Sequence, residues 1–221
     1  MSKVKHIVVV ANGEFTRADR LLATLQMGDV VIAADGGANW LAAQGRAPDV
    51  LIGDLDSVAP DVRQALERGA CRLLRHSPDK DETDTELALL EAVALGAERI
   101  TVLGALGGRV DHALANIQLL AMPQLAGRDV RLFDGRSWLF LVRSGHAIHG
   151  VVGDTLSLIP LGGAAEGIVT QNLKYPLRGE TLTLGAARGV SNVFLADEVL
   201  VALCAGVLLA IHTPQAYLEE R

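Results

Sequence analysis

Aromatic residues are scarce in this chain. Phe, Tyr and Trp make up 4% of 221 residues, while half of all residues are apolar. The core must therefore be mainly aliphatic, which favours buried strands and close helix–sheet packing over stacking surfaces. There are only two cysteines, Cys71 and Cys204, far apart inside apolar stretches. Both are better read as small core residues of a reduced, cytosolic protein than as a disulfide or metal pair. A basic surplus is missing too: the formal net charge is −6 and the pI near 5.5. Such a chain repels phosphate backbones, so nucleic-acid binding is not expected. The longest apolar run, Val199–Ile211, has thirteen residues, short of the ~20 that span a bilayer. Gly206 near its middle suggests a buried β-hairpin or two strands meeting at a turn. The start of the chain shows no apolar signal region or cleavage site. The expectation is a cytoplasmic protein without a membrane segment.

Several nucleotide and catalytic signatures are also absent. There is no P-loop, no Gly-x-Gly-x-x-Gly after the first strand, no protein-kinase His-Arg-Asp set and no Gly-x-Ser-x-Gly elbow. What is present is an alternation. Strand-like runs at Ile7–Val10, Val30–Ala34, Val50–Ile52, Arg72–Leu74 and Ile100–Leu103 are separated by helical patterns near Ala18–Gln26, Ala38–Gln44, Pro60–Arg68, Asp84–Leu95 and Ala113–Leu120. Gly45, Gly69 and Gly96 follow the last helical residues, as left-handed C-terminal caps require. Near-continuous Val/Ile/Leu strands alternating with helices predict a mostly parallel sheet covered on both faces, a three-layer αβα domain over residues 1–134.

The second half lacks helical periodicity. Short runs at Leu132–Phe133, Leu139–Val142, Ala147–Val151, Thr155–Ile159, Gly167–Gln171, Thr181–Leu184, Val193–Ala196, Val199–Cys204 and Val207–His212 are often parted by Gly, Pro or Asp. This pattern predicts an all-β antiparallel sandwich or barrel over residues 135–221.

Negative charge collects in the first half: residues 1–130 hold 18 acidic against 13 basic residues, and 131–221 hold 8 against 7. Four acidic motifs fall after predicted parallel strands or at helix starts. They are Asp35; Asp54 and Asp56; Asp79, Asp81 and Asp84; and Asp111. The carboxyl ends of parallel strands share one edge, where open α/β sheets bind ligands, so these residues converge into an acidic rim. Close carboxylates repel, and a divalent metal resolves the conflict; Mg²⁺ uses one or two carboxylates together with waters and substrate phosphates. Phosphoryl-transfer chemistry then needs cations and donors for the phosphates. Lys80 and Arg109 are the candidate cations, and Gly104, Gly107 and Gly108 let backbone N–H groups approach phosphate oxygens. Asp54 and Asp56, flanking one residue after a buried strand, are expected on the same side of an extended backbone.

Simpler roles compete. Asp35 taken alone reads as a turn residue or helix cap. Thr83 and Glu86 fit a capping box, which leaves Asp84 in the first turn, where a carboxylate suits the helix dipole in any case. His146 and His149, three apart on a strand, read as structural, and Trp40 and Trp138 as core or interface aromatics. His112 is balanced between a site role and a local hydrogen bond.

Taken in order, Ala34-Asp35-Gly36-Gly37, Gly53-Asp54-Leu55-Asp56-Ser57, Lys80-Asp81-Glu82-Thr83-Asp84 and Gly107-Gly108-Arg109-Val110-Asp111-His112 resemble the motifs of the thiamine pyrophosphokinase family. So do Leu173-Lys174-Tyr175-Pro176-Leu177 and Gly189-Val190-Ser191-Asn192 in the second half. Leu55 stands where the family usually has Phe, and Tyr175 where some members have Trp. The resemblance implies transfer of the pyrophosphoryl group of ATP to the hydroxyl of thiamine, giving thiamine diphosphate and AMP. It implies an α/β nucleotide domain, a β-sandwich domain, and a homodimer with thiamine at the subunit interface. Carried over by position, Asp54, Asp56 and Asp84 hold Mg²⁺, with Asp111 completing the catalytic set. Asp35, Lys80, Asp81, Gly107, Gly108 and Arg109 contact ATP, and Tyr175, Ser191 and Asn192 line the thiamine pocket.

Two other classes remain open on the residues alone: a metal-dependent phosphohydrolase using the same carboxylates to activate water, and a nucleotide-binding regulator without turnover. Seven acidic residues between Asp54 and Glu86 in these motifs exceed what a binding module needs, and the ordered set of motifs places the transferase first.

Overall fold

The computed structural model describes residues 5–218. The chain divides into two compact units, Met1–Gly135 and Arg136–Arg221. In the first, strands β1 (His6–Val10), β2 (Val30–Ala34), β3 (Val50–Gly53), β4 (Arg72–Arg75), β5 (Arg99–Leu103) and β6 (Asp129–Phe133) alternate with helices α1 (Ala18–Leu25), α2 (Gly37–Ala43), α3 (Pro60–Arg68), α4 (Asp84–Ala94) and α5 (Val110–Leu119). Within this unit all paired strands are parallel, in the order β6-β5-β1-β2-β3-β4.

The layering follows from the connections. From β1 to β4 each crossover steps the same way across the sheet, so right-handed connections put α1, α2 and α3 on one face. The chain then returns from β4 to β5, beside β1, and steps on to β6, which puts α4 and α5 on the other. In keeping with this, α2 packs on α3, and α4 packs on α5 and on β1, β2 and β3. Central strands covered on both sides cannot alternate in polarity, and Ile7–Val10 are all fully buried.

Local signals place the helix ends. Thr83 caps α4, its hydroxyl accepting the Glu86 N–H at 3.2 Å. Gly45 and Gly96 take left-handed φ values of 69° and 81° after α2 and α4. Gly69 does not: its φ of −91° and ψ of −165° are extended, because the chain leaves α3 straight into the short link to β4. A second correction concerns Leu132–Phe133, expected to belong with the short strands of the second half. It is the end of β6 and pairs in parallel with β5. Asp129 and Arg131 mask the strand in the sequence. Asp129 lies 2.7 Å from Arg131 and 3.4 Å from Arg99 on β5, so these charges are paired along the ladder.

The second unit contains β7 (Trp138–Val142), β8 (His146–His149), β9 (Thr155–Pro160), β10 (Ala165–Gln171), β11 (Arg178–Leu182), β12 (Asn192–Val193), β13 (Glu198–Ala202) and β14 (Leu208–Thr213), then a single helical turn at Gln215–Leu218. They form two antiparallel ladders, β12-β9-β14-β7 and β11-β10-β13-β8. The core between them is built on Phe194, Leu156, Ile168, Val199, Val201 and Leu208, all fully buried, with Trp138 packed against it. The Val199–Ile211 run is not a hairpin. β13 and β14 lie in different ladders, and the chain turns between them through Gly206.

The cysteines also differ from expectation. Cys71 is half-buried and Cys204, just past the end of β13, is exposed; both are free. Trp40 stacks on Phe15 with ring centroids 4.5 Å apart. His146 lies against Phe140, and His149 Nδ1 is 3.6 Å from Glu198. No helix among the described residues is long and apolar enough to cross a membrane.

Candidate active site

The direction of the crossovers reverses between β1 and β5, and the loops leaving their carboxyl ends open a crevice, as such a reversal does in open α/β sheets. A cleft of about 650 Å³ lies there. It is lined by Asn12 and Glu14 after β1, Asp35 after β2, Asp56 and Ser57 after β3, Lys80, Thr83 and Asp84 at the start of α4, Gly107, Gly108 and Arg109 after β5, and His112 and Asn116 on α5.

Asp35, Asp54 and Asp84 each offer a carboxylate oxygen, and these atoms lie within 4.8 Å of one another. Gly53 makes room for the group: a Cβ there would come within 3.0 Å of the Asp84 carboxylate and 3.2 Å of Asp35 Cβ, and its φ is 143°. Asp35 is buried and Asp35 Oδ1 has no hydrogen-bond partner. Burial pushes its carboxyl above the ordinary carboxylate range, and the negative charges of Asp84 and Asp54 act the same way. Lys80 Nζ lies 2.9 Å from Asp84 Oδ1, an ion pair that leaves this buried oxygen without hydrogen-bond geometry. Three converging hard oxygen donors, with buried oxygens unsatisfied, fit a hard divalent cation such as Mg²⁺.

Asp56 stands apart from this trio. The backbone between the two aspartates is not extended, because Leu55 turns into the interior with a φ of 68°. Asp54 Oδ1 accepts the Asp56 N–H at 3.1 Å, and the exposed Asp56 carboxylate accepts the Ser57 hydroxyl at 2.9 Å. The geometry therefore puts Asp35 in the cluster and Asp56 on the cleft wall.

Arg109 lines the cleft while its guanidinium grips Asp111 through contacts of 3.2 and 2.6 Å. That grip holds the Asp111 carboxyl down at about 2. Asp111 is not among the lining residues, and it restrains Arg109 instead. Asp81 is exposed and likewise outside the lining. His112 lines the cleft and also gives its N–H to Asp111 at 3.0 Å. Sequence reasoning passed over Asn12, Glu14 and Asn116. The available signal was position: Asn12 and Glu14 directly follow the first strand, at the carboxyl edge where the other site residues cluster.

In the second unit a cavity of about 500 Å³ is lined by Leu158, Lys174, Tyr175, Leu177, Arg188, Val190 and Asn192, among others. Tyr175 is 61% exposed. Asn192 is buried, and its amide is spent on the backbone. It accepts the Tyr175 N–H at 2.9 Å and donates to the Tyr175 carbonyl at 2.7 Å. Asn192 thus holds the segment that presents Tyr175. Ser191 is exposed outside the lining, and its N–H donates to Ser157 Oγ at 3.0 Å.

The chain matches two family models: "Thiamin pyrophosphokinase, catalytic domain" over residues 22–132, and "Thiamin pyrophosphokinase, vitamin B1 binding domain" over residues 145–208. The chain belongs to the thiamine pyrophosphokinase family. It is 28% identical to the thiamine pyrophosphokinase of Bacillus subtilis (strain 168) over 214 residues, covering 95% of this chain and 99% of that protein. It is 30% identical to thiamine pyrophosphokinase 1 of Oryza sativa subsp. japonica, covering 89% and 83%. The crystal structure of the Bacillus subtilis thiamine pyrophosphokinase superimposes with a TM-score of 0.85 at 27% identity, covering 95% of this chain and 99% of that one. The catalytic-domain match of this family contains the carboxylate cluster, Lys80 and Arg109, and the vitamin B1 binding match contains Tyr175 and Asn192.

Proposed function

We propose that the protein transfers the β,γ-pyrophosphoryl group of ATP to the hydroxyl of thiamine in a Mg²⁺-dependent reaction, giving thiamine diphosphate and AMP, and that it works as a cytoplasmic homodimer. Pyrophosphoryl transfer to thiamine is the reaction of the family to which the chain belongs. The observation that carries the nucleotide and metal parts is the convergence of Asp35, Asp54 and Asp84, from three separate segments, beside Lys80, with Asp35, Asp84 and Lys80 lining a cleft at the switch of the sheet.

In this reading Asp35, Asp54 and Asp84 hold Mg²⁺, which when bound offsets charge on the phosphate oxygens and orients them. Lys80 and Arg109 neutralise further phosphate charge, and the Gly107–Gly108 turn, bare of side chains, lets the same oxygens approach the chain closely. Asp111 holds the Arg109 guanidinium on the cleft wall. With its carboxyl pinned near 2, Asp111 is a poor acceptor for the thiamine hydroxyl proton at neutral pH. Asp56, which lines the cleft where Asp111 does not, is the better placed carboxylate for that task. Thiamine, a cation with two aromatic rings, packs against Tyr175. The exposed Leu184, Val190 and Tyr175 on the second unit support a surface that a second copy covers.

The deciding experiment measures AMP and thiamine diphosphate formed from ATP and Mg²⁺, with and without thiamine. Equal amounts of both products, only when both substrates are present, are expected. Phosphate or ADP released without thiamine would instead make the protein a hydrolase.

A further inference from the structure

The loops after β1 and β5 are laced together along the crevice. Ala11 N–H donates to Leu103 O at 2.8 Å, Gly13 N–H to Gly104 O at 2.7 Å, and Glu14 N–H to Leu106 O at 3.0 Å. The series ends in a side chain: Glu14 Oε1 accepts the Gly108 N–H at 2.9 Å. Glu14 therefore holds the turn at both ends, its backbone on Leu106 and its carboxylate on Gly108. Between these two contacts lies Gly107, whose φ is 81° and where a Cβ would come within 2.7 to 2.9 Å of Glu14 Cβ, Oε2 and Cδ. A side chain at 107 would thus be strained by the backbone and also collide with this clasp. Arg109, next in the chain, leads into α5 and lines the cleft.

We infer that Glu14 is a positioning residue for the reaction: it sets the Leu106–Gly108 turn and so the place from which Arg109 meets the nucleotide phosphates. A carboxylate lining a phosphate cleft costs electrostatic repulsion. The short contact to a backbone N–H, stronger for being charge-assisted, is what it supplies in return. Unlike Asp111, which restrains the Arg109 head group, Glu14 restrains the backbone that carries it. The part played by ATP rests on the function proposed above, whereas the state of the turn does not, so the two are tested separately.

Hydrogen exchange is measured on the 104–112 segment of the full protein without ligands, for wild type, Glu14→Ala and Glu14→Gln. The Ala variant is expected to speed exchange in this segment while leaving the rest of the sheet unchanged. The Gln variant, whose amide oxygen still accepts the Gly108 N–H, restores protection. In steady-state assays the Ala variant is expected to raise the ATP KM about tenfold, the size of one such hydrogen bond, with the thiamine KM unchanged and Gln recovering most of the loss. Unchanged exchange in the Ala variant would overturn the clasp. Faster exchange with unaltered ATP kinetics would overturn the positioning role. A Gln variant that binds ATP more tightly than wild type would do so too, by making Glu14 an anionic plug that the phosphates must displace.

Discussion

Lys80 Nζ lies 2.9 Å from Asp84 Oδ1, at the point where Asp84 also meets Asp35 and Asp54. One ammonium cannot balance three carboxylates. The cluster therefore keeps excess negative charge, which stores repulsion in the folded state and attracts a cation.

Removing one carboxylate should accordingly stabilise the metal-free protein while destroying its function. Asp54→Asn is the cleanest choice, since Asp84 has Lys80 beside it and Asp35 is buried. Its melting temperature without metal should rise by about 2–4 °C, the equivalent of ~1 kcal/mol in a chain of this size. Millimolar Mg²⁺ should raise the wild-type value and leave the variant nearly unmoved, and turnover should fall roughly 100-fold or more. A variant with normal Mg²⁺ stabilisation would remove Asp54 from the metal site. Thermal melts with and without Mg²⁺ decide this before any assay.

The loop bearing Asp54, Asp56 and Ser57 is held from α2. Asn39 Nδ2 donates to Ser57 O at 2.8 Å, and Asn39 Oδ1 accepts the Ala59 N–H at 2.8 Å. Leucine in place of Asn39 would fill similar space without either contact. Asn39→Leu should lower stability by about 1–3 kcal/mol through the unpaired backbone groups and raise the Mg²⁺ concentration needed for half-maximal activity several-fold. Loss of stability with an unchanged Mg²⁺ requirement would limit Asn39 to a structural role. A Mg²⁺ titration of the folded variant separates the two.

Tyr175 is exposed on its cavity, and Lys174 Nζ lies 5.5 Å from the ring centroid. The ring face already has a cation near it, so thiamine must share that face or take the other. Tyr175→Ala should raise the thiamine KM about tenfold, from lost ring contact of one to two kcal/mol, and leave the ATP KM unchanged. An equal rise in both constants would contradict a thiamine-facing role. Asn192→Ala should reproduce the thiamine defect indirectly, because it frees the backbone of Tyr175.

How far the sequence discloses this molecule depends on whether the signal is local. The strands β1, β2, β3 and β5 were legible because strands buried on both faces are near-continuously apolar, and the Thr83 cap because its partner is three residues away. β6 was not placed, since Asp129 and Arg131 conceal it and their partners are known only once β5 lies alongside. The acidic rim was visible as four motifs at strand ends. Its inner membership was not, because the φ of Leu55 separates Asp56 from Asp54, and Asp35 joins from the neighbouring strand end with its own φ of 44°. Glu14 carried no motif at all. Its role comes from a contact to Gly108, 94 residues away, which only the adjacency of β1 and β5 creates.

The second unit holds a buried ionisable pair unrelated to either cavity. Asp154 Oδ2 lies 2.8 Å from His212 Nε2 and accepts the Val151 N–H at 3.0 Å, while Asp154 Oδ1 accepts the Gln215 N–H at 2.8 Å. Burial by itself would raise the Asp154 carboxyl. The Gln215 N–H, the His212 ring and the Val151 N–H outweigh it and hold the group below its ordinary value. A carboxyl with a lower pKa folded than unfolded contributes stability that is complete above the unfolded value, about 3.9, and is lost as pH falls through the folded one. Asp154→Asn should therefore cost roughly 3 kcal/mol at pH 7, as for breaking one side of a buried pair. The gap to wild type should narrow as pH is lowered below about 4. Urea unfolding of both proteins from pH 7 to pH 3, followed through the fluorescence of Trp138 in a Trp40→Phe background, measures it in this unit. A gap that stays constant over that range would mean that the Asp154 charge does not stabilise the sandwich, and that the contacts of the residue act through shape alone.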